Sequence, residues 1–556
     1  MSSENEHIDQ FHIDYTKHFL IMTRNFNETS NCRGSGKVGL VSASIRNLNL
    51  SLSDLVGKDY LAAVCAARAA VEGSNLGRLQ DFAAEKIEFY PPAFGKKQDE
   101  LLRLVGTRMS SGLSNSAKGA GSAGVKEASR TSSAPLAGLG MFRVGEDGRL
   151  YLASKSEHYH LSLGHSFPGY RLLENARRLG IPNATHNNTR GFITRRLEEE
   201  LISSVNGLTP GDGGALKAAL ASTAPDVINR VLNLQTGSLA AEAALKLILA
   251  RFYRSEETVP RPKYHGRVPV LLVVGNDDGG LKANYHGTTM LTQVMRGMWP
   301  ELYEAVRERG FRVAAIRPDS LPDLETAFVN YERDNLKVAG FFHEIVMMNY
   351  GGRLLAREFL QRAYELCRQH DVPTVADEIQ SCLWAPGLFL HREYGLRPSF
   401  VAIGKGFPGG EYAASRILFS AAFDSLPQFG ALVTNGQEEL AALAYLVTMR
   451  WVSANREVTR QVGDYYAGRL QALAGQFPKV VLGVDGCRHL SCLRFRDTST
   501  ATSFAGLLVE KGLDISAQTY KPDCPPSVLT KLPLIAGYEV VDFILDRMAG
   551  VLREME

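Results

Sequence analysis

The sequence predicts an α/β protein in which helices cover both faces of a mostly parallel sheet and a smaller α+β domain completes the fold. Several short segments are too apolar to be strands with one face in water. These segments are residues 267–275, 311–316, 338–342, 372–377 and 400–403. Segments with helical spacing of apolar and charged residues, such as 354–370, alternate with them. Alternation of strand and helix favours parallel strands.

The N-terminal region is predicted to be an extra, mainly helical extension. Residues 55–88 contain Ala- and Leu-rich turns with helical periodicity. Residues 106–140 are dominated by Ser, Gly and Ala, a composition typical of a linker or a long surface loop. No chemistry is visible in residues 1–140, so their role stays open.

The remaining chain divides into two domains. After residue 436 a long helical region, 437–476, precedes a mixed α and β segment. In open α/β sheets ligands bind beyond the carboxyl ends of the strands, which places the site in the larger domain. The predicted parts are an extension (1–105), a linker or loop (106–140), the N-terminal part of the small domain (141–190), the large domain with the ligand site (191–436), and an interdomain helix with the C-terminal small domain (437–556).

Composition excludes several classes of partner. The chain has 62 basic and 59 acidic residues and a net charge of +3, which gives no reason to expect nucleic acid or an anionic membrane. No apolar run approaches the roughly 20 residues of a membrane span, and the polar start does not resemble a secretory signal. The seven cysteines are scattered without a Cys-x-x-Cys pair, which predicts a reduced, cytoplasmic protein.

Lys405 follows the apolar segment 400–403 inside a glycine-rich turn, Gly404-Lys-Gly-Phe-Pro-Gly-Gly410. A phosphate-binding P-loop would need a glycine at position 399 and Ser or Thr at 406, where Ser399 and Gly406 stand. Burial disfavours the ammonium form, so Lys405 is a candidate to form a Schiff base. The alternative is a lysine that simply extends to solvent.

Three further features lie at strand or helix ends. Asp377 closes the apolar segment 372–377, and a buried carboxylate needs a cationic partner or several donors, unless it is a helix cap. The Gln-Thr-Gly-Ser turn at 235–238 opens a helix, whose free N–H groups suit a phosphate. Tyr285 offers a ring that can stack on a flat ligand.

The sequence offers only weak evidence for metal ligands. Asp277 and Asp278 stand in an Asn-Asp-Asp-Gly-Gly run that is more typical of a turn. His158, His160 and His165 lie close in sequence but lack a further ligand pattern. No metal site is predicted.

Together, a strand-end lysine, a buried aspartate, a phosphate-binding helix start and a stacking ring make up a pyridoxal phosphate site. In such a site the lysine holds the cofactor and the aspartate keeps the pyridine nitrogen protonated, so that the ring can accept electrons.

The chain from about residue 141 resembles the class III pyridoxal-phosphate-dependent aminotransferases, the group that includes ornithine aminotransferase. The resemblance rests on Val-Ala-Asp-Glu-Ile-Gln (375–380), Phe-Val-Ala-Ile-Gly-Lys-Gly (400–406) and Gly-Gly-Glu-Tyr-Ala-Ala-Ser (409–415). It implies fold type I, with Lys405 as the Schiff-base lysine and proton shuttle and Asp377 beside the pyridine nitrogen. Thr434 resembles a threonine that reaches the phosphate of the neighbouring subunit, which implies a homodimer.

The resemblance also implies the other cofactor contacts. Gln380 would lie near the phenolic oxygen of the cofactor. The remaining positions implied are the phosphate turn Gly237 and Ser238, the stacking Tyr285 with its neighbour His286, and the strand-end acid Glu344.

The substrate side departs from the family pattern. Leu239 stands where many members have a glutamate, and Thr288 replaces an arginine often found after the His-Gly pair. The segment 381–387 lacks the family's Arg-Thr-Gly, and near the C-terminus Lys531 stands in place of an arginine for a substrate carboxylate. Trp384 is a candidate wall of the substrate pocket.

The function predicted from this pattern is transfer of an amino group from an amino acid or amine donor to a keto or aldehyde acceptor. Another reaction with the same cofactor, racemisation, epimerisation or decarboxylation, stays open because fold and cofactor do not exclude it. A protein that binds the cofactor or a partner without turnover is the third possibility.

Overall fold

The computed structural model describes residues 44–155, 160–434, 436–518 and 524–556, and its first part is a helical extension. Strand β1 (Asn49–Leu50) pairs antiparallel with β2 (Ile87–Glu88). The helices of this part are α1 (Leu52–Val56), α2 (Lys58–Glu72), α3 (Leu76–Ala84) and α4 (Pro92–Leu102). Aromatic contacts of Tyr60 with Phe192 and of Tyr90 with Trp451 pack the extension against later parts of the chain.

Residues 106–140 were predicted to be a linker or a loop, but the structure has a β-strand at the end of this segment. After helix α5 (Ala123–Ala128), strand β3 (Pro135–Leu139) joins an antiparallel sheet with β4 (Phe142–Gly145) and β5 (Leu150–Leu152). Its glycines permit close packing: a Cβ on Gly138 would lie 2.4 Å from His165, and one on Gly140 would overlap Gln98. Glycine here allows tertiary contact and does not mark a flexible segment.

The central sheet lies in the middle of the chain. The strands of this region are β6 (Arg230–Leu234), β7 (Val268–Val274), β8 (Arg312–Ile316), β9 (Leu336–His343), β10 (Val346–Met347), β11 (Arg353–Leu354), β12 (Thr374–Asp377), β13 (Phe400–Ile403) and β14 (Ser415–Phe419). Seven described strands form the sheet in the order β6-β14-β13-β12-β9-β7-β8. Only the pairs of β14 within it are antiparallel. The prediction of a mostly parallel sheet is confirmed.

Both faces of this sheet are covered. All seven residues of β7 are buried, and they alternate between two apolar cores. Leu271 and Val273 belong to one core, while Val270, Leu272 and Val274 belong to the other. Near-continuous apolar strands form because neither face meets water.

Helices supply the layers on the two faces. The helices from residue 171 to 393 are α6 (Arg171–Arg178), α7 (Phe192–Asn206), α8 (Gly213–Ala221), α9 (Gly237–Leu249), α10 (Met290–Met295), α11 (Pro300–Val306), α12 (Leu321–Tyr331), α13 (Arg357–Gln369) and α14 (Leu390–Glu393). Helix α9 packs its buried alanines and leucines on one face, and α13 packs its apolar side on the other.

The C-terminal part has the predicted mixed architecture. It begins with the long helices α15 (Glu439–Ala454) and α16 (Arg456–Gln476). The later elements are β15 (Val481–Cys487), β16 (Leu490–Phe495), α17 (Thr498–Glu510), β17 (Ser516–Ala517), β18 (Ser527–Leu529) and α18 (Tyr538–Met555). Their strands form an antiparallel sheet in the order β15-β16-β18-β17. The domain boundaries drawn from the sequence stay a prediction.

Candidate active site

A cavity of about 260 Å³ lies at the carboxyl ends of β9, β12 and β13, beside the start of α9. This is the edge at which open α/β sheets bind ligands. The described residues that line it are His160, Gln235, Thr236, Gly237, Ser238, Tyr285, His286, Gly287, Glu344, Asn349, Asp377, Ile379, Gln380, Lys405, Tyr412, Ala413 and Ala414. Most of the site residues predicted from the sequence therefore line one cavity.

Lys405 enters the cavity from the turn after β13. Its backbone adopts a left-handed conformation, with φ of +44°, which is strained for a residue with a side chain. Burial lowers the pKa of its amine, whereas the nearby carboxylates of Glu344 and Asp377 act in the opposite direction. A lysine with a lowered pKa is more often the neutral, nucleophilic amine.

Asp377 ends β12 and is held by two hydrogen bonds. Its Oδ2 lies 2.8 Å from Nδ1 of His286, and its Oδ1 accepts the backbone N–H of Ile379 at 3.1 Å. Asp377 and His286 are both buried. The bond from His286 fixes the orientation of the carboxylate towards the cavity, so the histidine acts as a support for the aspartate.

The start of α9 forms the opposite wall. Thr236 caps the helix, and Oγ of Ser238 accepts the backbone N–H of Thr288 at 3.1 Å. Gly287 has a φ of +133°, and a Cβ there would lie 2.7 Å from Cα of Ser238. The glycine therefore lets two backbone segments approach closely beside free N–H groups at a positive helix end, a geometry suited to phosphate.

Tyr285 and Gln380 complete the cavity. The guanidinium of Arg296 lies 5.3 Å from the ring centroid of Tyr285, which anchors this ring. Gln380 is buried, and its Oε1 has no hydrogen-bond partner among the described residues. A buried amide oxygen without a partner at a cavity wall indicates that a ligand completes its bonding.

Three nominated residues do not line the cavity. Thr434 is exposed at the surface of this chain. Trp384 and Lys531 are fully buried behind the wall, where the Nζ of Lys531 lies 3.8 Å from the tryptophan ring centroid. Neither side chain is exposed to a substrate in the cavity.

The structure also adds residues that sequence reasoning did not assign. His160 had been considered only as a weak metal ligand, and Tyr412 lay inside a motif without receiving a role. Asn349 carried no local signal, because it follows β10 in an irregular loop. Among the described residues, no group of three or more His, Cys, Asp or Glu side chains could hold a metal ion.

The residues present fit pyridoxal phosphate. A buried primary amine can bind the aldehyde, a carboxylate can bind the pyridine nitrogen, and a helix start cradled by Gly287 can bind the phosphate. The unsatisfied Oε1 of Gln380 can accept a hydrogen bond from a ligand, and its Nε2 can donate to a polar ring substituent. No described helix combines the length and the apolar character needed to cross a membrane.

Comparison with known proteins agrees with this chemistry. The family model of class III aminotransferases matches residues 180–547. An ornithine aminotransferase of Exiguobacterium is 26% identical over 324 residues, covering 57% of this chain and 74% of the relative. A putrescine aminotransferase of Pectobacterium atrosepticum is 24% identical over 386 residues, covering 68% and 77%.

Solved structures show the same fold. The ornithine aminotransferase of Plasmodium yoelii superposes with a TM-score of 0.59 at 18% identity, covering 77% of this chain and 95% of that one. A transaminase from the marine bacterium Virgibacillus gives 0.60 at 16% identity, covering 79% and 98%. These neighbours establish fold type I, with its mostly parallel sheet and smaller α+β domain.

The family model covers about two thirds of the chain and includes the sheet, the described cavity residues other than His160 and most of the C-terminal domain. The chain belongs to the class III aminotransferases, and it is an enzyme that uses pyridoxal phosphate to transfer amino groups between small molecules.

Proposed function

We propose that Lys405 is the residue that binds the cofactor and moves the proton during amino transfer. The observation that carries this proposal is the convergence in one cavity of the Lys405 amine, the Asp377–His286 pair and the start of α9. Each group alone has a structural explanation, but together they match one cofactor.

Pyridoxal phosphate supplies an aldehyde that reacts with primary amines and a ring that withdraws electrons from the attached carbon. Asp377 would hold the proton on the pyridine nitrogen, and His286 would keep the carboxylate aligned. Tyr285 would stack on the ring, and Gln380 would donate to the phenolic oxygen.

Lys405 has the properties of a proton carrier once an amino donor has displaced it. Its lowered pKa makes the neutral amine accessible, so Nζ can accept the proton from the donor carbon and return it elsewhere. Glu344 lies close enough to influence this charge. Hydrolysis would then release the donor as a carbonyl compound, with water supplying the oxygen, and the retained nitrogen would pass to an acceptor in the reverse sequence.

The phosphate would be held by the N–H groups at Gly237 and Ser238. We propose that Thr434 of the partner subunit adds a further contact, in a homodimer with shared sites. Thr434 is exposed in this chain, and the nearby Phe429 exposes 87% of its surface. An exposed aromatic side chain beside a polar residue is typical of a protein interface.

We also propose that the protein is located in the cytoplasm. Cysteines scattered without a paired motif support a reducing compartment, the cytoplasm. Trp384 and Lys531 act on the site indirectly, because neither lines the cavity.

The test is the visible spectrum of the purified holoenzyme and of Lys405→Ala. We expect an absorption band that one amino donor bleaches and an acceptor restores, and we expect the variant to lack this cycle. Lys337→Met, which changes another buried lysine far from the cavity, should keep it. A wild-type protein that cannot be loaded with pyridoxal phosphate, or a variant that still cycles, would overturn the assignment.

A further inference from the structure

Lys531 is a second buried lysine at the active site, and the roles proposed above do not use it. It follows β18 in the C-terminal domain and has 0% exposure. Its Nζ donates a hydrogen bond to the backbone carbonyl of Gln380 at 2.5 Å and packs on the Trp384 ring. A lysine of one domain therefore holds the main chain of a cofactor-site residue in the other.

The contact is reciprocal. Nε1 of Trp384 donates to the backbone carbonyl of Leu532, the next residue after Lys531, at 2.8 Å. The backbone N–H of Lys531 is itself fixed by the carbonyl of Ser154 at 3.0 Å. We call the two side chains, Lys531 and Trp384, the latch.

The latch contacts two segments that line the cavity, one at Gln380 and one beside Lys405. On one side it binds the backbone carbonyl of Gln380, whose side chain lines the cavity and has an Oε1 without a partner among the described residues. On the other side Trp384 packs against Gly406, where a Cβ would lie only 2.7 Å from the indole. Gly406 directly follows Lys405, so displacement of the indole would move the strained turn that carries the reactive amine.

Burial and the neighbouring charges both act on the amine of Lys531. Burial, followed by the like charge of Lys405, places the pKa of Lys531 well below its ordinary value, while Cys382 and Glu344 act in the opposite direction. Lys155, on the N-terminal segment, also faces Lys405. An uncharged amine still donates a hydrogen bond, so positioning does not require Lys531 to be protonated.

We propose that Lys531, through the latch, is a positioning residue that keeps Gln380 and Lys405 oriented towards the cofactor during amino transfer. This inference rests on the proposed function of Lys405. It makes Lys531 a determinant of turnover without a contact to the substrate.

The experiment compares wild-type holoenzyme with Lys531→Met, which keeps the length of the side chain and removes the donor. We expect kcat to fall about 10- to 100-fold, as for small misplacements of catalytic groups, with KM changed less than about threefold. We also expect the pH midpoint of the cofactor's visible band to rise by about half a unit, because a displaced Gln380 no longer stabilises the phenolic oxygen in its ionised form.

Two variants separate positioning from general damage. Lys337→Met removes another buried lysine that donates to a backbone carbonyl, that of His370 at 2.6 Å, and should leave the band midpoint and kcat unchanged. Trp384→Phe keeps a ring under Lys531 but removes the bond to Leu532, and should move kcat and the midpoint in the same direction as Lys531→Met. If Lys531→Met does not fold, Trp384→Phe decides the question.

Other outcomes overturn the proposal. A large rise in KM with an unchanged midpoint would show that Lys531 binds substrate directly, and unchanged kcat and midpoint would show that it only fills space. A wild-type enzyme without the band would instead refute the role of Lys405, a failure that the spectrum distinguishes before any variant of Lys531 is made.

Discussion

The two ends of the central sheet both carry buried charged side chains, but they use them differently. At the amino end, Lys337 on β9 binds Glu332 at 2.7 Å and the carbonyl of His370 at 2.6 Å. At the carboxyl end, Lys405 extends into a cavity. Burial lowers the pKa of both lysines. A buried lysine is thus insufficient evidence for catalysis, and what distinguishes Lys405 is a cavity with groups suited to a ligand.

The same contrast separates the carboxylates. Asp371 at the amino end is surrounded by cations, with Lys263 at 2.6 Å and Arg251 at 2.5 Å. Asp377 at the carboxyl end is held by His286 and by the backbone N–H of Ile379, and it faces the cavity. The amino end compensates its charges within the protein, whereas the carboxyl end is complete only with a ligand.

The largest expected effect is that of Asp377→Asn. The amide has the same shape but cannot keep the pyridine nitrogen protonated, so kcat/KM for amino transfer should fall about 1,000-fold. Steady-state kinetics of the cofactor-loaded variant measures this loss. Asp371→Asn, the matching change at the amino end, should leave the rate unchanged. Equal losses of kcat/KM in both variants would show that the two ends of the sheet do not differ in their role in catalysis.

Lys337→Met tests the amino end. Removal of the lysine leaves Glu332 nearly buried without its cation, which should cost about 3 kcal/mol of the free energy of unfolding. Chemical denaturation measures the loss, and turnover per folded enzyme should not change. A fall in turnover at unchanged stability would mean that the amino end also serves catalysis.

The positions of Lys405 and Asp377 at the carboxyl end could be predicted because the signals for them are local. Lys405 and Asp377 each follow a continuous apolar strand, and the parallel arrangement of those strands brings both to one edge. The apolar run of β7 likewise predicted a strand buried on both faces. A few consecutive residues are enough to indicate both a buried strand and the reactive side chain at its end.

Features that depend on distant contacts were not predictable in this way. Gly138 and Gly140 belong to the stretch predicted to be a linker or a long surface loop, but they make room for His165 and Gln98. Asn349 and His160 reach the cavity only through the tertiary fold. Trp384 and Lys531 were predicted to contact the substrate, but neither lines the cavity, and their partners across the domains determine which way they point.

Gly287→Ala sharpens the account of the phosphate-binding edge. A Cβ would lie 2.7 Å from Ser238 in a backbone conformation that disfavours side chains, so the cofactor affinity should fall about tenfold or more. Titration of apoenzyme with pyridoxal phosphate, followed by the visible band, measures the dissociation constant. Gly468→Ala, in helix α16 with open space around its Cβ, should leave it unchanged. An unaltered affinity in Gly287→Ala would show that the close approach of Gly287 to Ser238 does not contribute to cofactor binding.

The smallest effect concerns the pH dependence of stability at the amino end. Burial alone would raise the pKa of Asp371, but hydrogen bonds from Lys263 and Tyr264 and the charge of Arg251 bring it below its ordinary value of 3.8. A carboxyl with a lowered pKa in the folded state stabilises the protein above the pKa of the unfolded state, and this contribution disappears as pH falls through the folded pKa. Because the side chain is 44% exposed, the contribution should be less than about 1 kcal/mol.

Asp371→Asn should therefore be slightly less stable than wild type at neutral pH, and the difference should close below about pH 4. Denaturation curves of the two proteins at matched ionic strength, from neutral to acidic pH, measure it. A gap that stays constant with pH would mean that the aspartate acts through its shape and hydrogen bonds and not through its charge. The charges of the amino end would then contribute little to stability, and the contrast with the carboxyl end would rest on Lys337 and Glu332 alone.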